Sequence, residues 1–443
     1  MKNSQCILAT FVFLAFTHSI FAQDWPQFLG PDRNSTSPQK NLLRTWPESG
    51  PEVLWSVPVG IGYGGPVVKD GNIYLLDRND SIGDIMRCFE LATGKENWKY
   101  VFTSPGTCPF PGSRSVPAID GNYVYACGAV GDLICVDINT HQLVWSKNIW
   151  TGFGGTQLPI WAISQCPVMY KNMVIVSSHA PDAGVVAYNK LTGDLVWKTP
   201  NLGNETYVSP SIIHIDSEEQ VVMVTSSTNP FRSQGKEKTQ GKIIGIEPLS
   251  GKVLWEYANW ECHISVANAI EAGNNKLLVV GGYELGCVMI KVDKNTDQTY
   301  RVTELYKHND FGDQTKPPLL INGYFYAQFG TNSKRDGLVC MDMNGNIRWK
   351  TKRNPDFNKG SMIFADGLLL ATDGSNKLFL IEPDTTAFKP LASAELLNPG
   401  GVDKSNGMTS FGGATQNWAP IALADGKLLI RDQSRMICLK VAE

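Results

Sequence analysis

One segment type recurs along this chain and limits it to very few folds. Alternating apolar residues lead to an acid or Asn, then a turn, then a Trp. The copies are RCFELATGKENW (87–98), ICVDINTHQLVW (134–145), VAYNKLTGDLVW (186–197), IGIEPLSGKVLW (244–255) and VCMDMNGNIRW (339–349). Self-similarity at a fixed period marks an array of identical supersecondary units. Each copy has an upstream partner in which a DG or NG turn splits two apolar strands, as in GGPVVKDGNIYLL (64–76), VPAIDGNYVYAC (116–127), PPLLINGYFYAQF (317–329), MIFADGLLLAT (362–372) and APIALADGKLLIRD (419–432). Such runs read as antiparallel hairpins, so one unit holds four strands. Units begin near Gly64, Val116, Cys166, Pro210, Asn268, Pro317, Met362 and Ala419. The eighth stops without a fourth strand, and the orphan segment EVLWSVPV (52–59), with Trp55, supplies one. The expectation is an all-β, eight-bladed β-propeller of four-stranded antiparallel blades, its ring closed by an N-terminal strand completing the last blade.

Composition agrees with this reading. The chain is 42% hydrophobic and 18% charged, with 42 Gly, 25 Pro and 12 Trp, enough for a core and for many turns. The net charge of −3 has no long run of one sign, which excludes partnership with nucleic acid by bulk electrostatics. MKNSQCILATFVFLAFTHSIFAQ reads as a secretory signal cleaved after Ala22. It is too short to span a bilayer comfortably, no later stretch reaches span length, and Cys6 is not at a lipoprotein cleavage point. The expected layout is 1–22 signal peptide, 23–51 N-terminal extension and 52–443 propeller, in a monomer exported to a periplasm or outside the cell.

The chain resembles the pyrroloquinoline-quinone (PQQ)-repeat β-propeller superfamily, that of quinoprotein alcohol dehydrogenases and of an outer-membrane assembly lipoprotein. The acid–turn–Trp ends carry the resemblance over almost all of the mature chain, and DWPQFLGPDRN (24–34) looks like the opening of exported bacterial members.

Repetition itself assigns roles. The Trp set should pack between blades. The acids Glu90, Asp137, Glu247, Asp293, Asp342 and Glu382 should accept backbone N–H groups in the following turn. Cys88, Cys135, Cys340 and Cys438 share one slot with Ala187, Gly245 and Leu380, so the slot is apolar and Cys acts there as a small hydrophobe. Cys127 and Cys135 could be neighbours across two strands. No CxxC pair has metal-site spacing.

Chemistry is expected where units differ, on the loops that lead into the innermost strands. These carry Arg114, Trp161, Gln165, His263, Asn268, Lys316, Lys359, Asn417 and Trp418, with Tyr63 beside them. Three cations, amides and aromatic faces suit an anionic, partly planar or saccharide-like ligand, or a protein partner. The resemblance implies an alternative: a PQQ-dependent oxidoreductase acting on an alcohol or sugar hydroxyl, with the quinone stacked on Trp161 or Trp418 beside Ca²⁺ and its carboxylates on Arg114, Lys316 or Lys359. The chain lacks the adjacent Cys-Cys pair and the Glu/Asn/Asp calcium set of such enzymes. In HNDFGDQTK (308–316), Asp310 and Asp313 are candidate ligands for a divalent cation, and the same run also reads as a polar turn. FRSQGKEKTQGK (231–242) reads as a surface insertion.

Overall fold

A computed structural model describes residues 23–108, 111–228, 238–331, 334–398 and 416–443. The segment read as a signal peptide, 1–22, and most of the 231–242 insertion lie outside the described residues. Eight sheets form, each with four antiparallel strands that are consecutive except where the chain ends meet, and blade 7 carries a short fifth, parallel strand from the N-terminal segment. The innermost strands are short: Val67–Lys69, Ala118–Asp120, Val168–Tyr170, Ser211–Ile215, Ile270–Glu271, Leu319–Ile321, Met362–Ala365 and Ala422–Ala424. Inner strands of neighbouring blades lie side by side. Among the described residues the only helical turn is Thr151–Phe153, and no helix is long and apolar enough to cross a membrane.

Ring closure follows the expectation. The strand Val53–Pro58 adds antiparallel to Arg435–Lys440 as the outer strand of blade 8, with Trp55 opposite Cys438. The last blade thus draws strands from both chain ends, and the ring cannot open without breaking a ladder.

The repeated Trp joins several blades to the next. Trp55, Trp145, Trp197 and Trp349 donate their indole N–H to carbonyls of the next blade's outer turn: Leu91 at 3.0 Å, Lys190 at 2.9 Å, Pro248 at 3.0 Å and Asp384 at 2.9 Å. Trp255 instead donates to Gln220 Oε1 at 2.7 Å. Trp98 stacks on His141, which occupies the turn position where sister units carry Gly, at 5.0 Å and 20°.

The shared Cys slot has a physical explanation. It lies directly across the ladder from the Trp, in the pairs Cys88–Trp98, Cys135–Trp145, Ala187–Trp197, Gly245–Trp255, Cys340–Trp349 and Cys438–Trp55. A large ring on one strand requires a small side chain on the other. At Gly245 a Cβ would come within 2.1 Å of the Trp255 Nε1. Blade 7 inverts the arrangement, with Leu380 opposite Ala392. Cys127 pairs with Leu133 and Cys135 with Tyr125. All nine described cysteines are buried and free.

The acids hold turns as expected at three positions. Asp137 accepts Asn139 and Thr140 N–H groups, Glu247 accepts Leu249 and Ser250, and Asp342 accepts Asn344 and Asn346. Asp293 instead pairs with Lys291 and Arg301. In blade 7 the turn is held by Asp384, two residues beyond Glu382.

The N-terminal segment is woven into the ring. Trp25 exchanges two backbone bonds of 2.9 Å with Val68, and the Pro26 carbonyl accepts the Ile119 N–H at 2.9 Å. Thr36–Ser37 then runs parallel to the inner strand of blade 7. Residues 24–37 therefore run against the inner strands of blades 1, 2 and 7.

Candidate functional site

The loops leading into the inner strands meet at one end of the ring. They are tied blade to blade by short polar groups. The Ser115 hydroxyl donates to the Gln165 carbonyl at 2.5 Å, the Ser209 hydroxyl accepts the Cys166 N–H at 2.8 Å, and the Ser361 hydroxyl accepts the Ile421 N–H at 3.2 Å. At blade 1 the neighbouring backbones leave no room for a side chain. A Cβ at Gly64 would sit 2.2 Å from the Ser115 carbonyl oxygen, and one at Gly65 2.2 Å from that of Pro420. This packing explains the GYGG sequence and presents Tyr63 at the rim.

Above this collar lies one group of cations and aromatic rings. Tyr63 and Trp418 lie 5.5 Å apart at 32°. The Tyr63 hydroxyl bonds Gln416 Oε1. Arg114 sits 6.0 Å from the Tyr63 ring centroid, and the Lys359 ammonium 4.5 Å from that of Trp418. Lys316, which is only 9% exposed, reaches from blade 6 to the Trp418 carbonyl on blade 8 at 2.6 Å. Blades 1, 2, 6, 7 and 8 thus contribute to one constellation.

Burial sets its electrostatics. It pulls the ammonium groups of Lys316 and Lys359 down to about 8, against the pull of Asp313 on each. It lowers Arg114 and pushes the Tyr63 phenol up to about 12, which Arg114 opposes. Neither Lys316 nor Lys359 forms an ion pair among the described residues. A second charged group braces the loop that delivers Arg114. Arg78 and Asp84, both sealed from solvent, pair at 2.7 Å, while Arg78 also donates to the Ser104 and Gly106 carbonyls.

The expected site residues divide into two sets. Arg114, Lys316, Lys359 and Trp418 come together as described. The amide nitrogens of Asn268 and Asn417 are spent on the fold: Asn268 donates to the Ser209 carbonyl at 2.5 Å, and Asn417 to those of Ser375 and Asn398 at 2.5 and 2.8 Å. His263 lies against Tyr283 at 5.3 Å, and the backbone N–H of Trp161 donates to the Tyr207 hydroxyl at 3.4 Å. Gln165 is 3% exposed and lies in the collar.

The cation-ligand candidates are placed apart in role. Asp310 is exposed and lies 3.5 Å from Lys350. Asp313 is buried and accepts the N–H groups of Thr315, Lys316 and Gln328 at 2.9, 3.1 and 3.2 Å. Burial pushes its carboxyl up to about 6, against those donors and Lys316. It holds the turn that aims Lys316. Among the described residues no three His, Cys, Asp or Glu side chains gather where they could hold an ion.

Gln416 was not among the expected site residues; its place before Asn417-Trp418 was the available signal. Two open hollows of about 450 and 480 Å³ lie away from this group. One is at the seam between Val57–Gly60 and blade 1, and the other is along residues 43–53. Neither gathers cations and aromatic faces as the mouth does.

The sequence profile of a family described as outer membrane protein assembly factor BamB matches residues 83–328. Solved structures of similar fold include a europium-containing methanol dehydrogenase, at 14% identity over 92% of this chain and 89% of that one, with a TM-score of 0.61. A quinohemoprotein alcohol dehydrogenase from Comamonas testosteroni aligns at 14% identity over 95% and 81%, TM-score 0.58. BamB from Moraxella catarrhalis aligns at 13% over 88% and 100%, TM-score 0.53. At such identities the likeness is one of fold. No curated protein sequence matches the chain.

Proposed function

This chain belongs to the PQQ-repeat family described as outer membrane protein assembly factor BamB, and from that premise we propose that it is an exported binding propeller whose channel mouth takes a small organic polyanion. The observation that carries this reading is the placement of Lys316 and Lys359 on either part of Trp418, its carbonyl and its ring, without an ion pair among the described residues. Lys316 is nearly sealed from water and Lys359 half-buried, and cations so placed call for an anionic partner. Tyr63 and Trp418 add flat faces that suit a planar or unsaturated ligand body. The N-terminal signal supports export to a periplasm or beyond the cell.

The oxidoreductase alternative draws support from the likeness of fold to the methanol and quinohemoprotein dehydrogenases. The mouth cations match the carboxylates of a quinone such as PQQ. The rest of the donor set does not fit. Asp313 is committed to three backbone N–H groups, no carboxylate cluster accompanies it among the described residues, and the Trp418 ring already carries the Lys359 ammonium.

Calorimetric titration with citrate, a tricarboxylate probe, tests the reading. Wild type binds, and Lys359→Met weakens binding about tenfold. Equal affinity in the two proteins refutes the mouth site. Dye reduction in the presence of PQQ, Ca²⁺ and an alcohol would favour the oxidoreductase instead.

A further inference from the structure

The stretch GGYELG (281–286) forms the turn between the second and third strands of blade 5. Two of the mouth loops close on it. A Cβ at Gly281 would sit 3.0 Å from the Cys262 Sγ, on the loop into blade 5. One at Gly282 would sit 2.6 Å from the Gln314 Cβ, on the loop into blade 6. Glycine at both positions is what lets the two loops approach the turn. The Leu285 N–H bonds the Gly282 carbonyl at 3.1 Å, so Tyr283 and Glu284 are the central residues, at φ of 54° and 66°. Such a turn favours Asn or Gly at both places. Among the described residues, no other turn between the second and third strands of a blade carries two left-handed non-glycine residues in succession. Strain kept at one turn of the mouth points to a role for its side chains. The Tyr283 ring lies 5.3 Å from that of His263, at 39°. Gln314, packed on the same turn, stands two residues before Lys316 in the loop that Asp313 holds. His263, Tyr283 and Gln314 therefore converge from two loops and a turn, beside the lysine side of the mouth.

This group differs in character from the lysines. Burial pulls the His263 imidazole below its ordinary value and pushes the Tyr283 phenol up to about 12, so both rings are neutral at pH 7. Both are partly exposed. The one charge of the turn is the exposed carboxylate of Glu284, which does not attract an acid. The Gln314 Oε1 meets no donor among the described residues. Such an acceptor calls for a hydroxyl, not for an anion, and aromatic faces suit the apolar face of a ring. Two lysines on one side and a carboxylate on the other favour a ligand whose negative charge is gathered at one end. A phosphate monoester does this with a single, nearly dianionic group. We propose that His263, Tyr283 and Gln314 form a subsite for the hydroxylated ring of a sugar phosphate, whose phosphate is held by Lys316 and Lys359. The inference rests on the mouth reading for the phosphate, and it names the class of polyanion that the mouth takes.

The test is calorimetric titration of the mature chain with trehalose 6-phosphate, which has both rings and charge, and with citrate, which has charge alone. Tyr283→Asn removes the ring and keeps a residue suited to the left-handed turn, so the protein should melt no lower than wild type. It should weaken trehalose 6-phosphate about threefold to tenfold while leaving citrate within about twofold. Gln314→Ala should act in the same direction, and His263→Ala serves if Tyr283→Asn does not fold. Lys359→Met should weaken both ligands. Trehalose 6-phosphate bound equally by wild type, Tyr283→Asn and His263→Ala overturns the subsite, and a loss of citrate in Lys359→Met then still upholds the mouth. Citrate bound by wild type without trehalose 6-phosphate also overturns the subsite alone. Trehalose 6-phosphate weakened by Tyr283→Asn and untouched by Lys359→Met upholds the ring contact and removes the mouth reading. Phthalate, a flat dianion without hydroxyls, weakened by Tyr283→Asn as much as trehalose 6-phosphate, with Gln314→Ala affecting neither, overturns the sugar as the ring that is bound.

Discussion

Raising the pH from 7 to 9 should unload the mouth, by an amount the structure fixes. Lys316 and Lys359 both titrate at about 8, drawn down chiefly by burial. Lys316 faces Asp313 and Cys166, Lys359 faces Asp313 and Arg335, and Arg114 with Tyr63 lies beside Trp418. Only the protonated lysines attract an anion, so affinity is highest below pH 8 and falls above it. A group of pKa 8 is about nine-tenths protonated at pH 7 and about one-tenth at pH 9. The dissociation constant for citrate should therefore rise about tenfold if one lysine must be charged, and about a hundredfold if both must. Near pH 8 each lysine is half protonated when free and fully protonated when paired. Binding should then take up as much as about one proton in total. Calorimetry in two buffers of different ionisation enthalpy measures this directly, and Lys359→Met should halve it. A dissociation constant constant within about twofold from pH 7 to 9, with no proton uptake at pH 8, would show that these amines do not meet the ligand.

Other outcomes follow from the packing. Trp55→Ala removes a partly exposed ring and its bond to the Leu91 carbonyl at the ring closure. It should cost about 2–3 kcal/mol in denaturant titration, below the figure for a fully buried aromatic. An unchanged midpoint would mean that the closing strand is not held by its Trp. Gly245→Val, forced against Trp255, should cost about 1–3 kcal/mol, and Trp255→Leu should recover part of it. Purely additive losses would deny the pairing of slot and ring. Burial pushes the thiols of Cys88, Cys135 and Cys438 up to about 12. Their folded-state values thus lie above the unfolded one. Their contribution is complete below the unfolded value and is lost as pH rises through the folded one. Unfolding free energy should fall by about 2–3 kcal/mol per thiol by pH 10.5, and Cys135→Ala should make the fall measurably shallower.

The fold was legible because it is periodic, and the site was not because it is not. Eight copies of one unit allow each position to be compared with its sisters. A slot accepting Cys, Ala, Gly or Leu then declares itself buried before any coordinates exist. Even its logic was half visible: the residue is small where a Trp faces it and large where blade 7 has none. Mouth residues have no sisters. Lys316 and Lys359 stand 43 positions apart in the sequence, on loops of different blades, and only the ring closure brings them to opposite parts of Trp418. Sequence position gave Asn268 and Asn417 the same standing as the lysines, because an amide before an inner strand can face a ligand or tie a backbone, and composition does not distinguish the two. The structure does, through the carbonyls they bond. The path of the N-terminal segment was hidden for a sharper reason. It belongs to no repeat and precedes the ring, so a reading organised by repeats treats it as an extension. Its bonds to Val68, Ile119 and blade 7 depend on where a non-repeating strand meets a repeating ring. In a propeller the axis is the one place where every blade is within reach of a single side chain, and a segment that breaks the symmetry there can create a site that no single blade encodes.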